Sequence, residues 1–243
     1  MATSAKNETT CGYNGHYHLY MAIKVNSQNA STNQSNVTVT MYAQSDSSSY
    51  GAYNLDASGN SVKMTVNNNQ VISKTMAMDF RNRATVNLGS WTGNISHGAD
   101  GKKTLSCSGS FSISGSSYLS NGSISCSIVL DQIPRATKPT LSASTVALSS
   151  AATIGIAPAV SSWTHNLYYR VGTGSWTRFA TGVKANYAWT LPLAIADNFP
   201  SATSGTITIG VNTYNGSTLI GGTQTINLNI TIPASVVPSV SSV

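Results

Sequence analysis

Acidic and histidine side chains, which do most acid–base chemistry in proteins, are few and scattered in this sequence. There are seven acidic residues among 243, and none has an evident partner of the kind that two-carboxylate glycosidases need. His97 and Asp100 flank an Asp100-Gly101 turn signal, and we expect a hydrogen bond there to stabilise the turn. A catalytic pair would also need a nucleophile, and the nearby serines have no distinguishing context. The sequence therefore predicts no catalytic residues and a protein that is not an enzyme.

The histidine and cysteine spacings do not indicate a metal centre. His16 and His18 would share one face of a strand, but no third ligand is near in sequence and a closed zinc site uses four. Cys107 and Cys126 would face each other across a hairpin, which allows a disulfide. Assembly in a reducing cytoplasm instead favours free thiols, and Cys11 is expected to be an ordinary thiol. We predict no metal and no cofactor.

Aromatic side chains give a more specific indication of binding. Tyr20 and Tyr42 alternate with the inward residues of two neighbouring predicted strands, so they are expected to point outward. His18 shares that face, and Tyr50 and Tyr53 follow in the next loop. Sugar rings stack on aromatic faces through their apolar C–H surfaces, while nearby Asn and Ser bind their hydroxyl groups. We therefore predict a carbohydrate-binding surface at these five residues. The alternative is that this face packs against the second module or another subunit.

The elements that must position these residues are strands. Apolar residues alternate with polar ones in short runs about ten residues apart, separated by Gly, Asn and Ser clusters, which is typical of a sandwich or barrel. One short helix is expected at 191–198. The predicted inward stripes of the first half are Tyr17, Leu19, Met21, Ile23 and Val25; Val37, Val39 and Met41; Val62, Met64 and Val66; Met76, Met78 and Phe80; and Ala84, Val86 and Leu88.

The clearest hairpin joins residues 105–113 to 124–130. Folding the pair about residues 116–117 sets Cys107 opposite Cys126 and Leu105 opposite Ile128, so that inward residues meet inward residues. Two prolines and a charge cluster then interrupt the pattern in residues 131–139. We place a domain boundary in this segment.

A second pattern of about seven short strands follows the boundary. Its length and alternation predict an immunoglobulin- or fibronectin-like sandwich, with Trp163, Trp176 and Trp189 in the core and a hairpin turn at Asn215-Gly216. The predicted inward stripes are Leu167, Tyr169 and Val171; Ile207, Ile209 and Val211; and Ile226, Leu228, Ile230 and Ile232.

The predicted fold class is all-β, with two tandem β-sandwich domains. The first is a jelly-roll-like sandwich over residues 1–135, and the second is an immunoglobulin-like sandwich over residues 136–233. Residues 234–243 are a linker or the start of a further module, because Pro238-Ser239-Val240-Ser241 repeats Pro139-Thr140-Leu141-Ser142. We therefore expect the natural protein to be longer.

Composition excludes several functional classes. Only 8% of the residues are charged, against about 25% in typical domains, and the polar character comes from Ser, Thr, Asn and Gly. The net charge of +6 is spread along the chain without the basic stripe of a nucleic-acid reader. No apolar run reaches the roughly 18 residues of a membrane span. The first residues lack the charged and apolar regions of a signal peptide, so we expect synthesis in a cytoplasm without Sec export.

Two stretches resemble known sequences. One runs from Trp91-Thr92-Gly93-Asn94-Ile95 through Gly98-Ala99-Asp100-Gly101-Lys102 and the hairpin to Asp131-Gln132-Ile133-Pro134-Arg135-Ala136. The other runs from Phe179-Ala180-Thr181-Gly182-Val183 through Tyr187-Ala188-Trp189-Thr190-Leu191-Pro192-Leu193 to Tyr214-Asn215-Gly216-Ser217-Thr218-Leu219-Ile220-Gly221. The pattern is similar to minor structural and tail proteins of siphophages that infect streptococci and related Gram-positive bacteria, a family long described as a domain of unknown function. The resemblance implies a virion tail component and brings no established site residues.

These observations predict a non-enzymatic phage tail structural or adhesion protein that contributes to recognising the Gram-positive host surface by saccharide binding. The alternative is an architectural spacer that presents a distal C-terminal receptor-binding module. A bacterial surface adhesin is disfavoured by the missing signal peptide. The expected partners are other tail proteins, host cell-wall or capsular polysaccharide and further copies of the chain, with no nucleic acid and no membrane. The expected location is the virion tail.

Overall fold

Strands make up almost all of the regular structure in this computed structural model, which describes residues 3–114, 118 and 120–236. Internal contacts divide the chain into two units. The first contains the described residues up to Ile133 except Ala30–Thr32, and the second contains Ala30–Thr32 and the described residues from Pro134 onward. The helices of the described residues are short 3₁₀ segments: Tyr13–Gly15, Ser48–Tyr50, Ala57–Gly59, Arg81–Arg83, Leu193–Asn198 and Ala234–Val236. The all-β prediction is confirmed.

The first unit is a sandwich of two antiparallel four-stranded sheets. The strands are β1 Ser4–Cys11, β2 Tyr17–Asn29, β3 Gln34–Ser45, β4 Tyr53–Asn54, β5 Asn60–Val66, β6 Asn69–Thr75, β7 Met78–Asp79, β8 Val86–Ser96, β9 Lys103–Ile113 and β10 Gly122–Leu130. One sheet has the order β1-β2-β3-β8 and the other has the order β10-β9-β5-β6, with β4 and β7 forming a short separate pair.

The predicted alternation places the core between these two sheets. In the β2–β3 pair, Met21 lies opposite Met41, and both are fully buried. Gly109 on the facing sheet leaves room for them, because a Cβ there would lie 2.3 Å from Met41 Sδ and 2.9 Å from Met21 Cε. The intervening residues, such as Tyr20 and Tyr42, therefore point away from the core.

The β9–β10 hairpin has the predicted register. Cys107 pairs with Cys126 and Leu105 pairs with Ile128. Residues directly opposite in an antiparallel pair have Cα atoms about 4.5–5.5 Å apart, which is within the range of disulfides. The predicted turn at residues 116–117 lies outside the described residues.

The first unit differs from the sequence-based expectation in several features. The strand expected at 76–80 is reduced to the two residues of β7, since Phe80 leads directly into the Arg81–Arg83 turn. The strand order is also not the double Greek key of a jelly roll, because β1, β2 and β3 are consecutive neighbours in one sheet. The edge strand β1 was not predicted, since most of its residues are polar and exposed.

The second unit is a sandwich with the strand order of immunoglobulin and fibronectin type III domains. The strands are β11 Thr140–Leu141, β12 Thr145–Ala147, β13 Ala151–Gly155, β14 Thr164–Val171, β15 Thr177–Val183, β16 Tyr187–Thr190, β17 Ser204–Asn215, β18 Thr218–Leu219 and β19 Gln224–Thr231. One sheet has the order β11-β13-β16, and the other has the order β12-β19-β17-β14-β15, with β18 paired to β17. Strand β12 runs parallel to β19.

The second unit contains the predicted short helix and the predicted hairpin turn, the turn with a shift of one residue. The expected short helix is the segment Leu193–Asn198. A hairpin turn follows β17, but its central residues are Gly216 and Ser217, because Asn215 still pairs with Thr218. Only Gly216 of these has a positive φ, of 59°. None of the described helices is long and apolar enough to cross a membrane.

Candidate functional site

The outer face of the sheet β1-β2-β3-β8 carries three of the five predicted binding residues in one cluster. Tyr20 and Tyr42 are directly paired across β2 and β3, and their rings stack with centroids 4.8 Å apart. The His18 ring lies 6.2 Å from the Tyr20 ring in a nearly parallel orientation. All three side chains are half-buried. The outward parity seen in the sequence is therefore correct for this cluster.

Two charged residues of β1 complete this aromatic cluster. Glu8 pairs with Tyr20 in the sheet and its carboxylate lies 2.6 Å from His18 Nδ1. Lys6 Nζ lies 4.3 Å from the Tyr20 ring centroid and 5.7 Å from that of Tyr42, a cation–π arrangement. Hydrogen bonding to the Tyr42 side chain raises the pKa of Lys6. Burial raises the pKa of Tyr20, with a smaller contribution from Glu8.

Neutral hydrogen-bonding side chains extend from the aromatic cluster along the same face. Thr40 Oγ1 lies 3.1 Å from Ser90 Oγ, and Thr38 Oγ1 lies 2.9 Å from Thr92 Oγ1, in consecutive rows across β3 and β8. The next row joins the amides of Asn36 and Asn94. We call these rows the polar ladder. The face thus carries rows of hydroxyl and amide groups beside a group of aromatic rings.

The structure places the other two predicted binding residues elsewhere in the first unit. Tyr50 stacks on His16 with ring centroids 3.6 Å apart, and its carbonyl oxygen accepts a hydrogen bond from Tyr17 Oη. It lines a pocket of about 440 Å³ together with Tyr17 and Tyr118. Tyr53 is exposed, and the Arg81 guanidinium lies 4.4 Å from its ring centroid. The five residues therefore do not form one surface.

The acidic side chains mostly have local structural partners. Asp79 accepts several hydrogen bonds from Arg81, which lower the pKa of Asp79 to about 2. The other pairs are Glu8 with His18, Asp46 with His16, Asp56 with Ser58, and Asp100 with the Lys102 backbone. A groove of about 870 Å³ includes Asp100 and Asp131, but none of its described lining residues is a tyrosine or tryptophan.

His97 is a structural residue of the turn that follows it. Its Nδ1 lies 2.7 Å from the Gly101 carbonyl oxygen and its Nε2 lies 2.7 Å from Ser35 Oγ. If Nδ1 donates to the carbonyl, Nε2 accepts from the hydroxyl, and both ring nitrogens are used. The predicted turn-stabilising hydrogen bond is therefore confirmed. In the described part of the chain, no three His, Cys, Asp or Glu side chains are arranged to hold a metal ion.

The three cysteines are free thiols in an apolar environment. Burial raises the pKa of Cys11 to about 11 and that of Cys107 to about 12. Burial also raises the pKa of Cys126. Because the thiolate is the reactive form, this environment suppresses nucleophilic and metal-binding chemistry.

The tryptophans expected in the core of the second unit divide into two groups. Trp163 and Trp189 are buried, and Trp189 stacks on Phe179 with ring centroids 4.0 Å apart. Trp176 is 37% exposed, so its assignment to the core is wrong. Sequence reasoning also missed Lys6 and Glu8, whose place beside the rings depends on the pairing of β1 with β2. Only the alternation of Lys6, Glu8 and Thr10 hinted at an outward face.

Comparisons with known proteins identify a sequence family and several solved structures that are similar to this chain. The family described as "Siphovirus protein of unknown function (DUF859)" matches residues 9–243. A comparison with curated protein sequences gives no match. One similar solved structure contains the chicken CNTN1 FN1-FN3 domains. It is 9% identical, the match covers 86% of this chain and 65% of that chain, and the TM-score is 0.31. Another is the mouse nectin-like molecule 4 ectodomain, with 12% identity, coverage of 93% of this chain and 66% of that chain, and a TM-score of 0.35.

A third similar structure contains the fibronectin(III)-like modules of Clostridium thermocellum CbhA. It is 12% identical, the match covers 89% of this chain and 94% of that chain, and the TM-score is 0.25. The chain spans slightly less than two thirds of the CNTN1 and nectin-like chains. The identities and TM-scores are low, so the fold assignment rests on the strand order given above.

Proposed function

Because the chain belongs to this family of siphovirus proteins, we propose that it is a non-enzymatic structural and adhesion component of the phage tail that binds a saccharide of the Gram-positive host surface. In this role the chain is part of the virion and contacts other tail proteins and further copies of itself. The host ligand is a cell-wall or capsular polysaccharide.

The observation that carries this proposal is the outer face of the sheet β1-β2-β3-β8. It combines the aromatic cluster of His18, Tyr20 and Tyr42 with the adjoining polar ladder. An aromatic edge or face accepts the apolar C–H surface of a sugar, and hydroxyl and amide groups exchange hydrogen bonds with sugar hydroxyls. Regularly spaced rows of such groups suit an extended polysaccharide better than a small compact ligand.

Charge contributes little to binding on this face. The outward charged residues are Lys6, Glu8 and Lys24, whose charges sum to +1. We therefore expect saccharide binding here to change little with salt concentration, in contrast to the steep salt dependence of nucleic-acid binding. A single shallow site of this kind binds weakly, and repeated copies on a tail would raise the avidity by about a hundredfold or more.

One observation favours the spacer as a second candidate. Tyr20 and Tyr42 stack on each other and Lys6 lies against both, so part of each ring surface is already covered within the unit. Cross-strand aromatic pairs of this kind stabilise a sheet by about 0.2–1 kcal/mol. In an architectural spacer this would be their whole role, and the receptor would bind elsewhere on the protein.

Binding of an oligomerised fluorescent fusion to host cells and to purified wall polysaccharide distinguishes the two functions. We expect the parent fusion to bind, the Tyr20→Ala/Tyr42→Ala variant to bind at least about tenfold more weakly, and the Tyr53→Ala control to bind like the parent. Tyr50→Ala separately tests the 440 Å³ pocket. Absence of binding by the parent supports the spacer, and binding that is insensitive to the double substitution would place the saccharide on another surface.

A further inference from the structure

An exposed tryptophan lies across the outer face of the larger sheet in the second unit. Trp176 lies in the loop between β14 and β15, and 37% of its surface is exposed. Its ring reaches Gly210 on β17, the strand beyond β14. The indole therefore crosses the sheet instead of entering the core.

Gly210 is the residue that lets the indole lie against the sheet. A Cβ at this position would lie 2.8 Å from both Cη2 and Cζ3 of Trp176, which is closer than real contacts allow. The backbone φ of Gly210 is not in the left-handed region, so its conformation does not require glycine. Its neighbours on the outer face of β17 are Thr208 and Asn212, and Gly210 itself is buried beneath the ring. The glycine is thus explained by the position of Trp176.

A guanidinium group without an acidic partner accompanies the indole. Arg170 Cζ lies 4.6 Å from the ring centroid of Trp176, and its Nε is buried without a hydrogen-bond partner. Arg178 is exposed on the neighbouring strand, opposite Tyr168. Asp197 is the single acidic residue of this unit, against five basic ones, and among the described residues no salt bridge involves Arg170. The positive charge beside the indole is therefore not neutralised locally.

Neutral hydrogen-bonding groups border this position. Thr223 Oγ1 donates to Asn212 Oδ1 at 2.7 Å, and Thr208 Oγ1 donates to Asn227 Oδ1 at 3.1 Å. A protein partner of high affinity needs an apolar area around its aromatic anchor. Here the indole, with Tyr168 opposite Gly210 on the same face, lies among hydroxyl and amide groups, which suits a sugar ring.

We infer that Trp176, Arg170 and Gly210 form a binding site for an anionic saccharide, a sugar that carries a carboxylate or a phosphate. The sugar ring stacks on the exposed part of the indole. Its anionic group binds the guanidinium of Arg170 and is also attracted by the positive charge of Arg178. Arginine recognises both carboxylate and phosphate through paired N–H donors. Gly210 is a positioning residue, because it acts only through the Trp176 ring. This site is on a different unit from the proposed neutral saccharide face and does not depend on it.

Calorimetric titration of the full chain tests the site with four probes: a polyuronate oligosaccharide, a glycerol phosphate oligomer, neutral dextran and a single-stranded oligonucleotide. We expect at least one of the two anionic saccharide probes to bind, the other two probes to bind at least about tenfold more weakly, and added salt to weaken binding. Comparison of the polyuronate and glycerol phosphate titrations shows whether the site prefers a carboxylate or a phosphate. Failure of both anionic saccharide probes, or an oligonucleotide that binds as tightly, overturns the assignment.

Substitutions distinguish stacking of the sugar on Trp176 from binding of its anionic group to Arg170. Trp176→Ala and Arg170→Gln are each expected to weaken binding about tenfold, while the exposed control Leu219→Ala does not. Gly210→Val, which keeps every recognition group but displaces the ring, is expected to weaken binding in the parent and to have no effect in the Trp176→Ala background. Thermal unfolding confirms that each variant is folded. Full affinity in Trp176→Ala would refute the site, and full affinity in Tyr20→Ala/Tyr42→Ala shows that it acts independently of the first unit.

Discussion

At the scale of single residues, the environment of the cysteines determines their chemistry. Cys107 and Cys126 face each other across β9 and β10, and Cys107 is almost fully buried. Burial disfavours the charged thiolate and so raises the pKa of Cys107 to about 12. The fraction of thiolate at a given pH falls tenfold for each unit of pKa.

We therefore predict slow alkylation of the folded protein. At pH 8, iodoacetamide should modify Cys11 and Cys107 at least about a hundredfold more slowly than a free cysteine, and all three cysteines should react after unfolding in denaturant. Mass spectrometry of the quenched reaction measures the rates. Modification of Cys107 in the folded protein at the rate of free cysteine would contradict its environment.

The same pKa shifts determine whether the free energy of unfolding rises or falls with pH. The folded chain holds these thiol protons more tightly than the unfolded chain, whose thiols have ordinary pKa values near 8.5–9. The unfolded state therefore binds fewer protons between about pH 9 and 12, and the free energy of unfolding falls as the pH rises through this window.

At the scale of elements, the longer strands of both cores were predictable because their inward positions alternate with outward ones. The register of β9 with β10 was also predicted from the sequence, since folding the pair about residues 116–117 sets inward residues opposite inward residues. Strand β1 could not be found in this way, because its inward side chains are Ala5, Asn7, Thr9 and Cys11. It is defined by its pairing with β2, which is a tertiary property.

The candidate site was predicted in part for the same reason. Parity placed His18, Tyr20 and Tyr42 on one face correctly. Parity says nothing about loops, so Tyr50 and Tyr53 were grouped with this face although they contact His16 and Arg81. Trp176 was assigned to the core because large aromatic residues are usually buried. Its position depends on the missing side chain at Gly210, two strands away.

We predict that β1 is an important stabilising element of the first unit. Deleting residues 1–11 removes its ladder with β2 and the hydrogen bond from Asn7 Nδ2 to the Ser125 carbonyl, and it exposes β2 as a sheet edge. The melting temperature of the first unit should fall by several degrees or more, and light scattering should show association.

The matched control for this deletion keeps the strand and removes its charges. Lys6→Thr with Glu8→Thr should change the stability by less than about 1 kcal/mol, because exposed ion pairs contribute little. Equal unfolding temperatures for the truncated and parent proteins would show that β1 is dispensable.

At the scale of the whole molecule, the two units differ in charge as well as in fold. The second unit has five basic residues and one acidic residue, whereas the first has eight and six. Each has its own core, formed by buried residues of two sheets. This organisation is the expected one for modules that fold separately.

We predict that residues 136–233 fold as an isolated fragment. Buried His165 contacts Thr137 Oγ1 through Nε2 at 2.8 Å, and the Thr137 backbone N–H donates to buried Thr213 Oγ1. A fragment of residues 140–233 loses these partners and leaves buried polar groups unpaired, at a cost of about 1–3 kcal/mol. Thermal unfolding by circular dichroism compares the two fragments. A non-cooperative transition for 136–233, or equal stability of both, would contradict this organisation.

The most direct test of the proposed function is a titration of the isotope-labelled chain with purified host wall polysaccharide, followed by amide chemical shifts. If the outer face of the sheet β1-β2-β3-β8 binds the saccharide, the largest shifts will lie at Lys6, Glu8, Tyr20 and Tyr42 and along the polar ladder, and they will disappear in the Tyr20→Ala/Tyr42→Ala variant. Unchanged amide shifts on this face at saturating polysaccharide would contradict saccharide binding by the first unit.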